Sequence, residues 1–255
     1  MPNPLDYPLP FFLLCFLVLW LAARVGVRFR RKRGEPDEAE KEYLGLIVSS
    51  ALTLLALIIG FSFSMAVGRY DQRKNYEEEE ANAIGTEYVR VGLLPAADAA
   101  RARALLKSYL DERMVFYTTR SAGRLAQTNA ATAKLQADLW SAVEAPAAAQ
   151  PTPLSALAVS GMNDVLNSQG YAQAAWWNRI PLAAWFLMGA IAICCNGLVG
   201  YGARIPKAKP ARTFVLPLIV AIALFLIADL DSPRGGVIRV YPHNLASLSS
   251  SLPQP

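Results

Sequence analysis

Residues 44–67 are 24 consecutive positions without one charged side chain. A helix rises about 1.5 Å per residue, so this stretch is long enough to cross a hydrocarbon core of about 30 Å. Inside lipid the backbone has no water to bond to, so the segment is confined to a helix. Three further apolar blocks fit the same role. Residues 11–23 are extended outward by Leu9 and Pro10, with Arg24 placed to snorkel at the far end. Residues 182–203 are uncharged, and residues 214–228 end at Asp229. Pro217 falls in the first turn of that last block, where a missing N–H costs little. The first block reads as an anchor rather than a cleaved signal peptide. No Lys or Arg precedes it, and the basic run comes after it.

The sequence therefore predicts an all-α integral membrane protein: four transmembrane helices with a helical extramembrane domain between the second and third. The divisions fall at 1–68, 69–180, 181–230 and a polar tail over 231–255. Apolar residues are 54% of the chain and charged residues 18%, but the excess sits in the four blocks. The net charge of +5 does not mark a nucleic-acid binder. From Arg69 to Arg179 there are 12 Lys/Arg and 12 Asp/Glu, so the polar domain is neutral and lacks a basic face.

The surplus charge lies beside the spans. Arg28, Arg30, Arg31, Lys32, Arg33 and Lys41 follow the first block; Arg204, Lys207, Lys209 and Arg212 follow the third. Positive charge in short loops marks the cytoplasmic side. Four spans put both loops on one side, so the expectation is a multi-pass membrane protein. Its short loops are then cytoplasmic, and both termini and the central domain lie outside.

Between Arg69 and Arg179 helix formers dominate. One helix is predicted to run from the second span to about Leu94, stopped by Pro95. Asp98 is then an N-cap candidate for a helix on which Leu105, Leu106, Tyr109, Leu110, Arg113, Phe116 and Tyr117 share a face. Helices over 125–143 and 154–175 follow, separated by an Ala/Pro loop over 145–153. Trp176 and Trp177 stand before the third span, where a membrane interface selects them. Glu77 to Glu80 read as a solvated acidic face, with Arg73 and Glu77 at i,i+4 spacing.

Catalytic and metal residues are not expected. Cys15, Cys194 and Cys195 lie inside apolar blocks, and the sole histidine, His243, has no ligand partner at metal-site spacing. No cofactor is implied. A membrane enzyme would need Glu79 and Glu80 to hold a metal, a spacing that is not diagnostic. More informative are Ala56, Gly60, Ser64 and Gly68, four apart on the second span. Small residues let another helix approach closely in lipid, so this stripe marks packing within the chain, a homo-oligomer seam or a conduit. Phe61 and Phe63 flank it, with Ile58 and Ile59, as lipid-facing residues or an apolar gate. Asn196, mid-span in the third block, calls for a partner on another helix.

From Glu80 the chain reads Glu-Ala-Asn-Ala-Ile-Gly-Thr-Glu-Tyr-Val-Arg, after Gly60-Phe-Ser-Phe-Ser-Met-Ala. Beyond the last span it reads Asp231-Ser-Pro233-Arg-Gly-Gly236. These segments resemble the bacterial bestrophin-like membrane family. The resemblance implies an oligomer, a pentameric anion channel in bestrophins proper, with the second span lining the pore and residues 58–63 as its gate. It also implies a cytoplasmic large domain and termini, opposite to the charge pattern. Glu80, Asn82, Thr86, Arg90, Asp229 and Asp231 carry over as polar motif positions. Asn82, Thr86 and Arg90 share one helix face, and Asp229 or Asp231 is the expected partner of that stripe. The lipid bilayer and further copies of the chain are the implied partners; the residues name no other protein.

Two functions fit this reading. Without charged side chains inside the spans away from their ends, the chain suits a non-conducting membrane protein whose helical domain senses, scaffolds or binds partners. The alternative is an oligomeric bestrophin-like anion channel or transport-related protein.

Overall fold

The computed structural model describes residues 7–33, 37–202 and 213–253, and every regular element among them is helical. The helices are α1 (Pro8–Arg33), α2 (Glu38–Arg90), α3 (Ala96–Thr118), α4 (Ala122–Ala149), α5 (Pro153–Trp177), α6 (Leu182–Gly202), α7 (Val215–Asp231) and α8 (His243–Ser251). They divide into two compact units. One holds the residues up to Gly68 with Arg179–Ile238; the other holds Arg69–Asn178 with the chain from Arg239 onward.

In the first unit α1 packs on α6 and α7. Its contact with α6 depends on glycine. A Cβ on Gly26 would stand 2.1 Å from the Gly197 carbonyl oxygen, and one on Gly200 would stand 2.0 Å from that of Ala23. Only hydrogens let the two backbones come this close, which is how helices associate where lipid removes the hydrophobic drive. Aromatic rings fill the other seam: Phe12 meets Phe225 edge-on at 5.9 Å, and Trp20 stacks on Phe214 at 5.5 Å. Arg30 closes the far end of α6, donating to the Gly202 carbonyl at 2.7 Å.

Among the described residues three helical stretches, Pro8–Lys32, Glu38–Leu93 and Pro153–Gly202, are long and apolar enough to cross a membrane. α7 has 17 residues, about 25 Å of helix against a core of about 30 Å. The second basic loop, with Arg204, Lys207, Lys209 and Arg212, lies outside the described residues.

The second unit is a helical bundle around Leu106, Tyr109, Phe116, Leu139 and Met162, all shielded from solvent. α2 ends at Arg90 in a 3-10 turn over Val91–Leu93, and Pro95 caps α3. Asp98 is therefore not the N-cap; it lies in the first turn, where a carboxylate still favours the helix dipole. Thr152 and Ser155 form a capping box at the start of α5, with Pro153 in the first turn. The predicted Ala/Pro loop shrinks to three residues, because α4 continues through Pro146 to Ala149. Alanine, the best helix former, fills four of the five positions from Ala145 to Ala149 and offsets the lost N–H. The tail is built into this unit, with α8 packed on α3 and Leu245 fully buried. Trp176 also differs from its predicted place: it packs edge-on against Phe116 at 5.2 Å and Tyr117 at 5.5 Å, while Trp177 stays exposed.

Candidate functional site

The apolar segment of α2 is nearly bare. Only 6% of its most apolar window is buried, against 17% for α1. Leu55, Ser62 and Ala66 are buried and share one side of the helix. Ala56, Gly60, Ser64 and Gly68 point the opposite way and are exposed. A Cβ added to Gly60 or Gly68 would meet nothing within 4 Å. Phe61 is 66% exposed and Phe63 is 42% exposed beside them. The predicted small-residue stripe thus exists as a face, and among the described residues no helix of the protomer fills it at Gly60 or Gly68. Small residues do pack between helices in the α1–α6 contact, where Gly26 meets Gly197 and Gly200 meets Ala23.

Asn196 is fully buried, yet its amide donates to Ala192 of its own helix at 2.8 Å rather than across to another. That i−4 bond satisfies the donor locally. The three cysteines form no disulfide.

In the helical unit the acidic run is not a uniform solvated face. Glu78 and Glu79 are exposed, whereas Glu77 and Glu80, three apart, turn inward and are buried. Arg113 binds the Glu80 carboxylate through Nε and, at 3.3 Å, through Nη2; the Tyr117 hydroxyl donates to the same carboxylate at 3.0 Å. The guanidinium lies 4.3 Å over the Phe116 ring. Burial, reinforced by the neighbouring Glu80 charge, pushes the Tyr117 phenol well above its ordinary range, so it remains a donor. Glu77 accepts from the Asn244 amide at 2.7 Å and the Leu245 N–H at 2.9 Å, which fastens the start of α8. Arg73 donates to the carbonyls of Ala175 and Asn178, at 3.1 and 3.2 Å, where α5 ends. Among the described residues no group of three or more His, Cys, Asp or Glu side chains is placed to hold a metal.

Asn82, Thr86 and Arg90 do share a face. It forms one wall of a groove of about 630 Å³, whose other wall is α8 through Asn244, Ser247, Leu248 and Ser251. The helix opposite the stripe is therefore α8. The two aspartates expected there are committed elsewhere, within the first unit. Asp229 accepts the N–H groups of Val237 and Ile238, both at 2.7 Å. Asp231 accepts the Ile180 N–H at 2.9 Å and lies 3.6 Å from Arg179 Nε. Gly236 fits this cradle because a Cβ there would come within 2.6 Å of the Asp229 carbonyl oxygen. The Asp-x-Pro-x-x-Gly segment is thus a turn that folds back on the end of α7.

One residue has no signature in the sequence. Glu87, between Thr86 and Arg90, is fully buried, and neither carboxylate oxygen has a hydrogen-bond partner among the described residues. Burial raises its carboxyl to about 8, against the pull of Arg90 and helped by Asp164.

The sequence matches the family model described as a bestrophin-like domain over residues 11–245. No curated protein matches it. The fold is shared with solved structures. A crystal structure of a bacterial bestrophin homologue from Klebsiella pneumoniae aligns with a TM-score of 0.66 at 13% identity, covering 98% of this chain and 96% of that one. A second structure of a homologue from the same organism gives 0.62 at 15% identity over 96% and 99%. One described as a membrane protein gives 0.61 at 14% identity, again over 96% and 99%. At such identities the likeness establishes the fold.

Proposed function

The chain belongs to the bestrophin-like family, and on that premise we propose that it is a subunit of an oligomeric membrane channel in which α2 lines the path. The observation that supports this most is the bare face of α2. In a soluble protein so long an apolar surface would be a liability; in a membrane subunit it must meet lipid, another copy or water. Small residues at Gly60, Ser64 and Gly68 leave backbone exposed along one stripe. Phe61 and Phe63 supply apolar bulk at the same level, as a constriction that gates by dewetting would require. Anions are the first species to test, since the family resemblance implies them.

The subunit contributes four spans, with α7 the short fourth. That arrangement keeps both basic loops on one side, and positive-inside logic makes this side cytoplasmic in the inner membrane of a bacterium. The termini and helical unit then face outside, opposite to what the bestrophin resemblance implies. Single cysteines replacing Glu78 and Lys41 test this with a membrane-impermeant thiol reagent. The Glu78 position should react from outside and the Lys41 position from the cytoplasm. Labelling of the Glu78 position from the cytoplasm alone would reverse the orientation.

A second reading has its own support. Residues 44–67 contain no ionisable side chain at all, so the stripe also suits a closed seam in a non-conducting scaffold or sensor. Cysteines at Gly60 and Ser64, in a background lacking Cys15, Cys194 and Cys195, separate the two. Rapid reaction with a small water-soluble thiol reagent supports the path. Protection of both positions, in protein shown to be assembled, favours the seam.

A further inference from the structure

We propose that Glu87 is a protonation-controlled latch between α2 and α5: as the neutral acid it seats against Gly161, and as the carboxylate it draws Arg90 from Asp164 and loosens the two helices.

The seat is defined by a missing side chain. A Cβ at Gly161 would stand 2.0 Å from Glu87 Oε2 and 2.9 Å from Arg90 Nη1. The carboxyl group therefore occupies the volume that any larger residue at 161 would take. It is fully buried, with no hydrogen-bond partner on either oxygen among the described residues. An ionised carboxylate without hydrogen bonds is costly in such a place, whereas a neutral acid is tolerated. Among the described residues two charged groups face it. Arg90, on its own helix, lowers its proton affinity; Asp164, on α5, raises it. Arg90 Nη1 is 3.7 Å from Asp164 Oδ2, in a pair that is partly exposed and so weakly held. The guanidinium is thus available to a stronger claimant. Nearby Arg103 of α3 is engaged by Tyr88, donating to its carbonyl at 3.2 Å with the guanidinium over the ring at 5.5 Å.

Loss of the proton changes what this contact can hold. A carboxylate at Glu87 competes with Asp164 for Arg90 and needs water, and water reaches it only if α2 and α5 part. The polar wall formed by Asn82, Thr86 and Arg90 would move with it, since Arg90 lines the groove toward α8.

The test is amide hydrogen exchange on the full-length protein in nanodiscs, followed at residues 81–94 and 154–170 and corrected for intrinsic exchange. Between about pH 6 and about pH 9.5 the opening equilibrium of both segments should rise roughly 10- to 100-fold in the wild type. Glu87→Gln, which keeps the shape and cannot ionise, should stay protected at both values. Asp164→Asn removes the like charge and should shift the transition down by about one pH unit. Protection that is the same at both pH values in the wild type overturns the latch. So does an unchanged pH response in Glu87→Gln, or an unmoved midpoint in Asp164→Asn.

Discussion

The Glu80 carboxylate and the Arg113 guanidinium, 33 residues apart in sequence, form an ion pair with both side chains wholly shut off from solvent. It joins α2 to α3. Tyr117 donates to the same acid, so removing either member strands the other with its charge uncompensated.

Arg113→Met should therefore destabilise the protein by about 3–5 kcal/mol, the usual penalty for breaking a buried pair from one side. Replacing both, as Glu80→Leu with Arg113→Met, should recover part of that loss, because no unpaired charge remains. Thermal unfolding of the purified proteins in one detergent compares the three.

The two glycine sets should separate folding from function. Gly26→Val or Gly200→Val drives a side chain into the facing backbone of the α1–α6 contact, and little folded protein should be recovered. Gly60→Val meets open space within the protomer. It should leave expression and the helical content by circular dichroism unchanged, and alter only assembly or flux.

Gly236→Ala should cost stability by contact, since its methyl group meets the Asp229 carbonyl oxygen. Asp229→Asn keeps the shape but leaves a single acceptor oxygen for two N–H donors, so one hydrogen bond loses its charge and the other is lost, at a cost of about 1.5–3 kcal/mol. Unfolding midpoints of both variants check this. A midpoint unchanged in each would mean that the turn after α7 does not hold the fold.

The sign of the pH dependence follows from Glu87. Its carboxyl is raised from 4.5 to about 8 in the folded protein, so between these values the folded state binds a proton that the unfolded state has lost. Its contribution is fully present below about pH 4.5, declines as pH rises through this window and is gone above about 8. Glu87→Gln should flatten that part of the stability curve, measured as the unfolding midpoint against pH.

Much of the architecture could be read from residue patterns. Helix formers run unbroken from the second span to Pro95, and α2 follows them to Arg90. The face of Leu106, Tyr109, Leu110, Arg113, Phe116 and Tyr117 is buried as its spacing predicts. Other features depended on tertiary context. Four consecutive glutamates look alike in a string, but helical periodicity turns Glu77 and Glu80 inward and leaves Glu78 and Glu79 outside. The glycines that bring α1 and α6 together are spaced no more tellingly than those on α2; which set packs is decided by the partner helix. Pro146 signalled a loop, and the surrounding alanines carried the helix past it. Glu87 is one charge in a polar stretch, and only the gap at Gly161 marks it.

A path lined by α2 through an assembled channel must let anions cross a sealed bilayer. Anion efflux from liposomes containing the purified oligomer tests it most directly, with protein-free liposomes as the control. Efflux should stand well above that control, be reduced by Gly60→Val and be changed by Phe61→Ala, with the assembled particle intact. Efflux equal to the control, from protein shown to be folded, inserted and assembled, would contradict it.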